Sequence, residues 1–156
     1  VTAAPISTET TDRLYATLLD WILQYTNHNG VNLNAALGGR VYRQQPPADV
    51  AYPYALFAFR SPQLPADYQE LKIVYSLEAM IVNRPRATQP ETEGFGDLFA
   101  RALRGFVASG SGFVRVTDVV TESLPPFSTP ADSNVVQVRV TAKLHAFPLF
   151  VSASYT

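Results

Sequence analysis

His28 and His145 are the only histidines of this 156-residue chain, and it holds no cysteine. Cysteine-ligated zinc, disulfides and thiol nucleophiles are therefore excluded. His28 falls in a helix-ending turn and His145 on the polar side of a strand. Neither has a His-x-x-x-His partner or a neighbouring carboxylate pattern, so both read as surface histidines rather than metal ligands. Asp118 and Glu122 lie four apart on a strand, on one face and about 13 Å from each other, too far for a catalytic carboxylate pair. Gly94-Phe-Gly96 and Gly110-Ser-Gly112 are fragments of glycine patterns that lack the full G-x-G-x-x-G or G-K-[ST] context. Ser109 and Ser111 lack a nucleophile elbow. The residues thus carry no catalytic signature, and neither an enzyme nor a cofactor is expected.

Arg40, Arg43, Arg60, Lys72, Arg84, Arg86, Arg101, Arg104, Arg115, Arg139 and Lys143 are scattered, and the net charge is −1. A general basic face for nucleic acid is not supported. Charged residues make up only 16% against 47% apolar ones, low for a fully solvated surface. That balance fits either a compact, proline-rich domain or, the reading preferred here, surface covered by other subunits. No stretch approaches the roughly 18 apolar residues that span a bilayer, and no signal-peptide pattern opens the chain.

The elements that must position these residues follow from periodicity. Ser7 or Thr8 caps a helix over 7–27, with Leu14, Leu18, Trp21, Ile22 and Tyr25 on its apolar face and Asn27-His28-Asn29-Gly30 ending it. A second helix spans 88–107. Thr88 and Glu91 have capping-box spacing, Gly94 and Gly96 weaken the first turn, and Phe95, Leu98, Phe99, Ala102, Leu103 and Phe106 form the stripe. Strands are expected near 40–43, 54–59, 71–82, 113–124 and 134–147. In 71–82, Leu71, Ile73, Tyr75, Leu77, Ala79 and Ile81 share a face. Alternation slips near Asp118-Val119, the mark of a bulge, and 124–133 is a proline-rich loop. In the last strand Val136, Val138, Val140, Ala142 and Leu144 face one way; Gln137, Arg139, Thr141, Lys143 and His145 face the other.

This order gives an α+β domain: a mainly antiparallel sheet with two principal helices on one face. A straight Asn134–Phe147 would reach roughly 45 Å, against a radius of gyration near 15 Å for a domain of this size. The C-terminal hairpin must therefore project or curve. Gln137, Arg139, Thr141 and Lys143 form a polar wall for a channel or an adjoining subunit, or a solvated sheet face.

The stretch Gly39-Arg40-Val41-Tyr42, a proline-containing spacer, and Ala51-Tyr52-Pro53-Tyr54-Ala55-Leu56-Phe57 resembles the tail-terminator, or tail-completion, proteins of tailed bacteriophages. The likeness in element order runs from about Thr8 to Phe150. It implies a structural virion protein: a ring, usually of six copies, at the head-proximal end of the tail, assembled in the host cytoplasm. Such a ring ends tube polymerisation, contacts the tail tube protein and the neck or head-completion protein, and lets double-stranded DNA pass without specific binding or any membrane. On this resemblance Arg40, Tyr42, Arg43, Tyr52 and Tyr54 are candidate subunit or partner contacts, and a projecting hairpin adds Pro125, Pro126 and Phe127 at its tip. The alternatives are another neck, tube or baseplate ring component and, more distantly, a small-molecule-binding domain or hydrolase with a cavity between sheet and helices.

Overall fold

The computed structural model describes residues 8–43, 45–60, 73–108, 113–128, 132 and 134–147. Helix α1 covers Thr8–Leu23 and buries Leu14, Tyr15, Leu18 and Ile22. It stops short of residue 27 because Asn27 offers the backbone an alternative to the helix. Its Oδ1 accepts from the amides of Asn29 and Val31, each at 2.9 Å, an Asx turn that competes with helical bonding. Thr26 then bridges to Asn32. Asn32 caps the four-residue α2, Leu33–Ala36, with its side chain accepting from Ala35 N. The capping role expected of Ser7 lies outside the described residues.

Helix α3, Gln89–Arg104, starts where expected: Thr88 Oγ1 accepts from Glu91 N at 3.3 Å, and proline follows in the first turn, where it is tolerated. Glu91 turns to Arg84 at 3.3 Å rather than closing a capping box. Gly105 ends the helix, so it does not reach 107. Val107–Ala108 instead forms a short strand, β4.

The sheet has six strands in the order β1-β2-β3-β6-β5-β4. Their ranges are β1 Val41–Tyr42, β2 Tyr54–Phe59, β3 Ile73–Pro85, β5 Phe113–Phe127 and β6 Val135–Phe147. The fold is α+β with a mixed sheet: β1 runs parallel to β2 and every other neighbour is antiparallel. Alternation assigns the faces as read from the sequence. Ala55 and Phe57, Tyr75 to Ile81, and Val140 to Leu144 meet α1 and α3 in one core. Described residues of β6 are paired on both sides, by β3 as far as Pro85↔Val135 and by β5 as far as Phe127↔Val135. The projection expected of the hairpin falls largely on 129–131 and 133, outside the described residues.

The slip at Asp118-Val119 is a bulge: register jumps between Thr117 and Val120, and Asp118 takes φ 55°. It reverses the phase of β5. Thr121 then meets α3 at Gly96, while Glu122 points to Arg139 on the other face. Beyond Leu124 the expected loop is still strand, carried to Phe127 through a second register shift that absorbs Pro125 and Pro126. Prolines are tolerated there because β4 pairs only Val114 and Arg115, leaving the far end of β5 as a sheet edge among the described residues.

Gly96 has a further role: it lets α3 approach the sheet. A methyl in place of its hydrogen would stand 2.7 Å from Val138 Cγ1, whereas one at Gly94 would meet nothing within 4 Å. Gly96→Ala is expected to cost about 1–3 kcal/mol through overpacking. Gly94→Ala is expected to be neutral or to stabilise by about 0.5–1 kcal/mol. Paired urea melts measure both, and equal effects would contradict the close approach.

Candidate functional site

Parallel neighbours cannot be joined by a tight turn; the chain must cross back over one face of the sheet. Residues 43–53, between β1 and β2, make that crossing. Ahead of it, Gly38 and Gly39 take φ 57° and 72° to turn the chain into β1. Arg40 folds back to secure its end, with Nε donating to Pro53 O at 2.9 Å and Nη2 to Tyr52 O at 3.3 Å. The positive φ favours glycine at 38, and a Cβ there, 2.4 Å from Arg40 Nη1, would displace the guanidinium from its bonds to Pro53 and Tyr52.

The crossing lies on the face opposite the helices. Tyr42, Val50, Tyr52, Leu56, Met80 and Phe127 pack around buried Tyr54, Val82 and Val135 in a second apolar cluster. Tyr52 stacks on Tyr54 at 5.8 Å and Tyr42 meets Tyr54 edge-on at 6.4 Å. Tyr52 OH donates to Asp132 Oδ2 at 2.7 Å. Burial raises the Tyr54 phenol above the ordinary tyrosine value. The proline-containing spacer is therefore an intramolecular strap, and its tyrosines pack on the sheet face opposite α1. Arg43 faces the other way: it pairs with Asp12 at 2.7 Å and lies 4.4 Å above the Tyr15 ring. Arg40 and Arg43 thus both have partners within the chain.

Past the strap the same face turns polar. Gln137, Arg139, Thr141 and Lys143 line β6 as expected. Gln137 Nε2 donates to Pro125 O at 3.0 Å. Arg139 pairs with Glu122 at 2.6 Å, which holds its guanidinium above the usual range. Arg60 pairs with Glu78 at 2.6 Å. Thr141 sits between Glu78 and Val120, and Lys143 between Ser76 and Thr117. Lys143 is exposed and has no ion pair among the described residues. His145 Nε2 lies 2.7 Å from Thr117 Oγ1. Arg115, opposite His145 on the same face, is likewise exposed and without an ion pair among the described residues, so the ladder pairs two of its cations and leaves two exposed. Such a face suits contact with another macromolecular surface better than proton transfer.

Asp118 and Glu122 do not act as a pair: the bulge separates them, and Glu122 is held by Arg139. His28 is exposed in its turn. No metal-holding cluster of His, Cys, Asp and Glu occurs among the described residues. Sequence reading missed Tyr15, whose hydroxyl donates to Phe57 O at 2.6 Å. It also missed the roles of Glu122 and Glu78, since cross-strand partners follow from register alone. No protein-family model and no curated protein matches the chain.

Burial pushes the Tyr15 phenol up to about 12, with Arg43 pulling partly the other way. In the unfolded chain a tyrosine titrates near pH 10. The stability held by neutral Tyr15 is therefore complete below about pH 10 and lost as pH rises through about 12. Tyr15→Phe is expected to cost about 1–3 kcal/mol, because the buried Phe57 carbonyl loses its donor. It should also flatten part of the fall in stability between about pH 10 and 12. Urea melts across that range measure both effects; an unchanged alkaline slope would contradict the assignment.

Proposed function

We propose that this chain is a structural ring subunit of a phage tail, the terminator that closes the tail tube and joins it to the neck. The observation that supports it most is the organisation of Gly39 to Phe57, the stretch that carries the resemblance. Glycine turn, β1, strap and β2 make one continuous unit over the second sheet face. In this reading the helix-covered face is the body of the subunit. The uncovered polar ladder of Gln137, Arg139, Thr141 and Lys143 faces the passage or the adjoining copy.

Three features are compatible with assembly. Ion pairs neutralise Arg60 and Arg139 on this face, which limits its hold on passing DNA, whose affinity rises with each neutralised phosphate. The edge of β5 carries two prolines and a bulge, devices that limit uncontrolled strand addition. A ring needs two different surfaces that meet head to tail and close by rotation, and the β1 and β5 sides of the sheet differ entirely.

The test is negative-stain imaging of the purified protein, alone and with tail tubes. Closed rings, or density confined to tube ends, are expected. Long self-polymers would make it a tube subunit instead, and indifference to tube ends would overturn the reading. Lys143→Glu probes the ladder. The side chain is exposed, so folding stability should move by no more than about 0.5 kcal/mol, while ring formation should weaken. Unimpaired rings with Lys143→Glu would remove the ladder from the interface.

A further inference from the structure

Asn29-Gly30 is the only Asn-Gly step in the chain. Both residues are exposed. Gly30 takes φ 79°, and a Cβ built on it would meet nothing within 4 Å. Glycine serves the turn by adopting this left-handed backbone at no steric cost. It also leaves its amide nitrogen open to the carboxamide of the residue before it. That carboxamide makes no hydrogen bond among the described residues.

One neighbour restrains the step. Gly30 N donates to Asn27 O at 3.0 Å, and Asn27 N donates to Val31 O at 3.0 Å. Asn27 Oδ1 accepts from the amides of Asn29 and Val31, each at 2.9 Å. Asn27 therefore holds the backbone nitrogens of residues 29, 30 and 31. The other asparagines of this region lack the open geometry. Asn32 donates to Leu23 O and Tyr25 O and accepts from Ala35 N. Asn34 is exposed but precedes Ala35 inside α2.

We propose that Asn29 is a site of spontaneous deamidation, with Asn27 as its gate. Asparagine is among the thermolabile residues. The Gly30 nitrogen attacks Asn29 Cγ and gives its proton to solvent. The new N–Cγ bond closes a cyclic imide, the Cγ–Nδ2 bond breaks, and Nδ2 leaves as ammonia with a proton taken from water. A water molecule then opens the imide. Cleavage of N–Cγ gives aspartate; cleavage between that nitrogen and the Asn29 backbone carbonyl carbon gives isoaspartate. The proton that must leave is the one bonded to Asn27 O, so attack waits on opening of the turn, an exposed segment of the kind that opens locally. Either product adds one negative charge. Isoaspartate also adds a backbone carbon to the loop closed by the Thr26–Asn32 bridge. Neither step depends on self-assembly.

The test holds the purified full chain at mildly alkaline pH and follows it by ion exchange and by mass spectrometry of its peptides. An acidic form should accumulate with the amide-to-acid mass change at Asn29, part of it isoaspartate, and Asn29→Gln should abolish it. Asn27→Ala should speed the conversion on the order of tenfold, equivalent to about 1.4 kcal/mol of lost restraint. Asn27→Asp keeps an acceptor oxygen for the same amides and should keep the wild-type pace. A synthetic peptide of residues 25–34, Tyr-Thr-Asn-His-Asn-Gly-Val-Asn-Leu-Asn, gives the ungated rate. Wild-type chain unmodified at Asn29 once the peptide has fully converted would overturn the site. Conversion in the wild-type chain as fast as in the peptide, or equal rates in wild type and Asn27→Ala, would overturn the gate. Modification at Asn32 or Asn34 ahead of Asn29 would overturn both.

Discussion

The parallel pairing of β1 with β2 constrains most of what surrounds it. Two residues of parallel ladder, Val41↔Ala55 and Tyr42↔Leu56, oblige the chain to travel back across the sheet before β2 can begin. Left-handed glycines at 38 and 39 set the entry to β1, and the return needs an arginine to tie down its end and apolar side chains to hold it on the surface. Tyr42, Tyr52 and Tyr54 supply the last of these. Without the crossing, Tyr54, Leu56, Met80 and Val82 would present a hydrophobic patch to water.

The two faces consequently differ. One is sealed along its length by α1 and α3, with Gly96 allowing the helix to touch Val138 and with Tyr15 fixing α1 to the carbonyl of Phe57. The other is sealed only at the strap end, and beyond it polar side chains pair across strands. The bulge at Asp118 links the two patterns. By reversing the phase of β5 it gives Thr121 to α3 and Glu122 to Arg139, so one inserted irregularity serves both faces. Such a surface, with Arg60 and Arg139 paired and Arg115 and Lys143 exposed, is the kind a ring subunit in the proposed role would turn towards a passage or a neighbour.

Much of this was legible in the sequence because it depends on local periodicity. The alternation in Ile73–Val82 and Val136–Leu144, the cap at Thr88 and the slip at Asp118 all describe real elements. What was not legible depends on who neighbours whom. Nothing local announces that Val41 pairs in parallel with Ala55, so the strap's side of the sheet was hidden and its tyrosines were free to be read as anchors for another subunit. Pro125 and Pro126 look like a loop until β5 is known to be an edge there, where prolines cost no ladder bond. Trp21 has helical spacing with Leu14 and Leu18, but it lies at the margin of the stripe and stays exposed. The early helix end required Asn27 to capture two amides, a competition that spacing does not reveal.

The amide of Ala55 tests the strap most directly. Its N–H donates to Arg40 O at 2.9 Å and so depends on the β1 pairing rather than on β3. Residue-resolved hydrogen exchange on the monomer should find Ala55 protected to a similar degree as Ile81 in the sheet interior, opening only with a large part of the global unfolding energy. If Ala55 exchanges orders of magnitude faster than Ile81, as an open edge amide would, the strap is not a fixed part of the fold and the division of the sheet into a strapped and an open end fails with it.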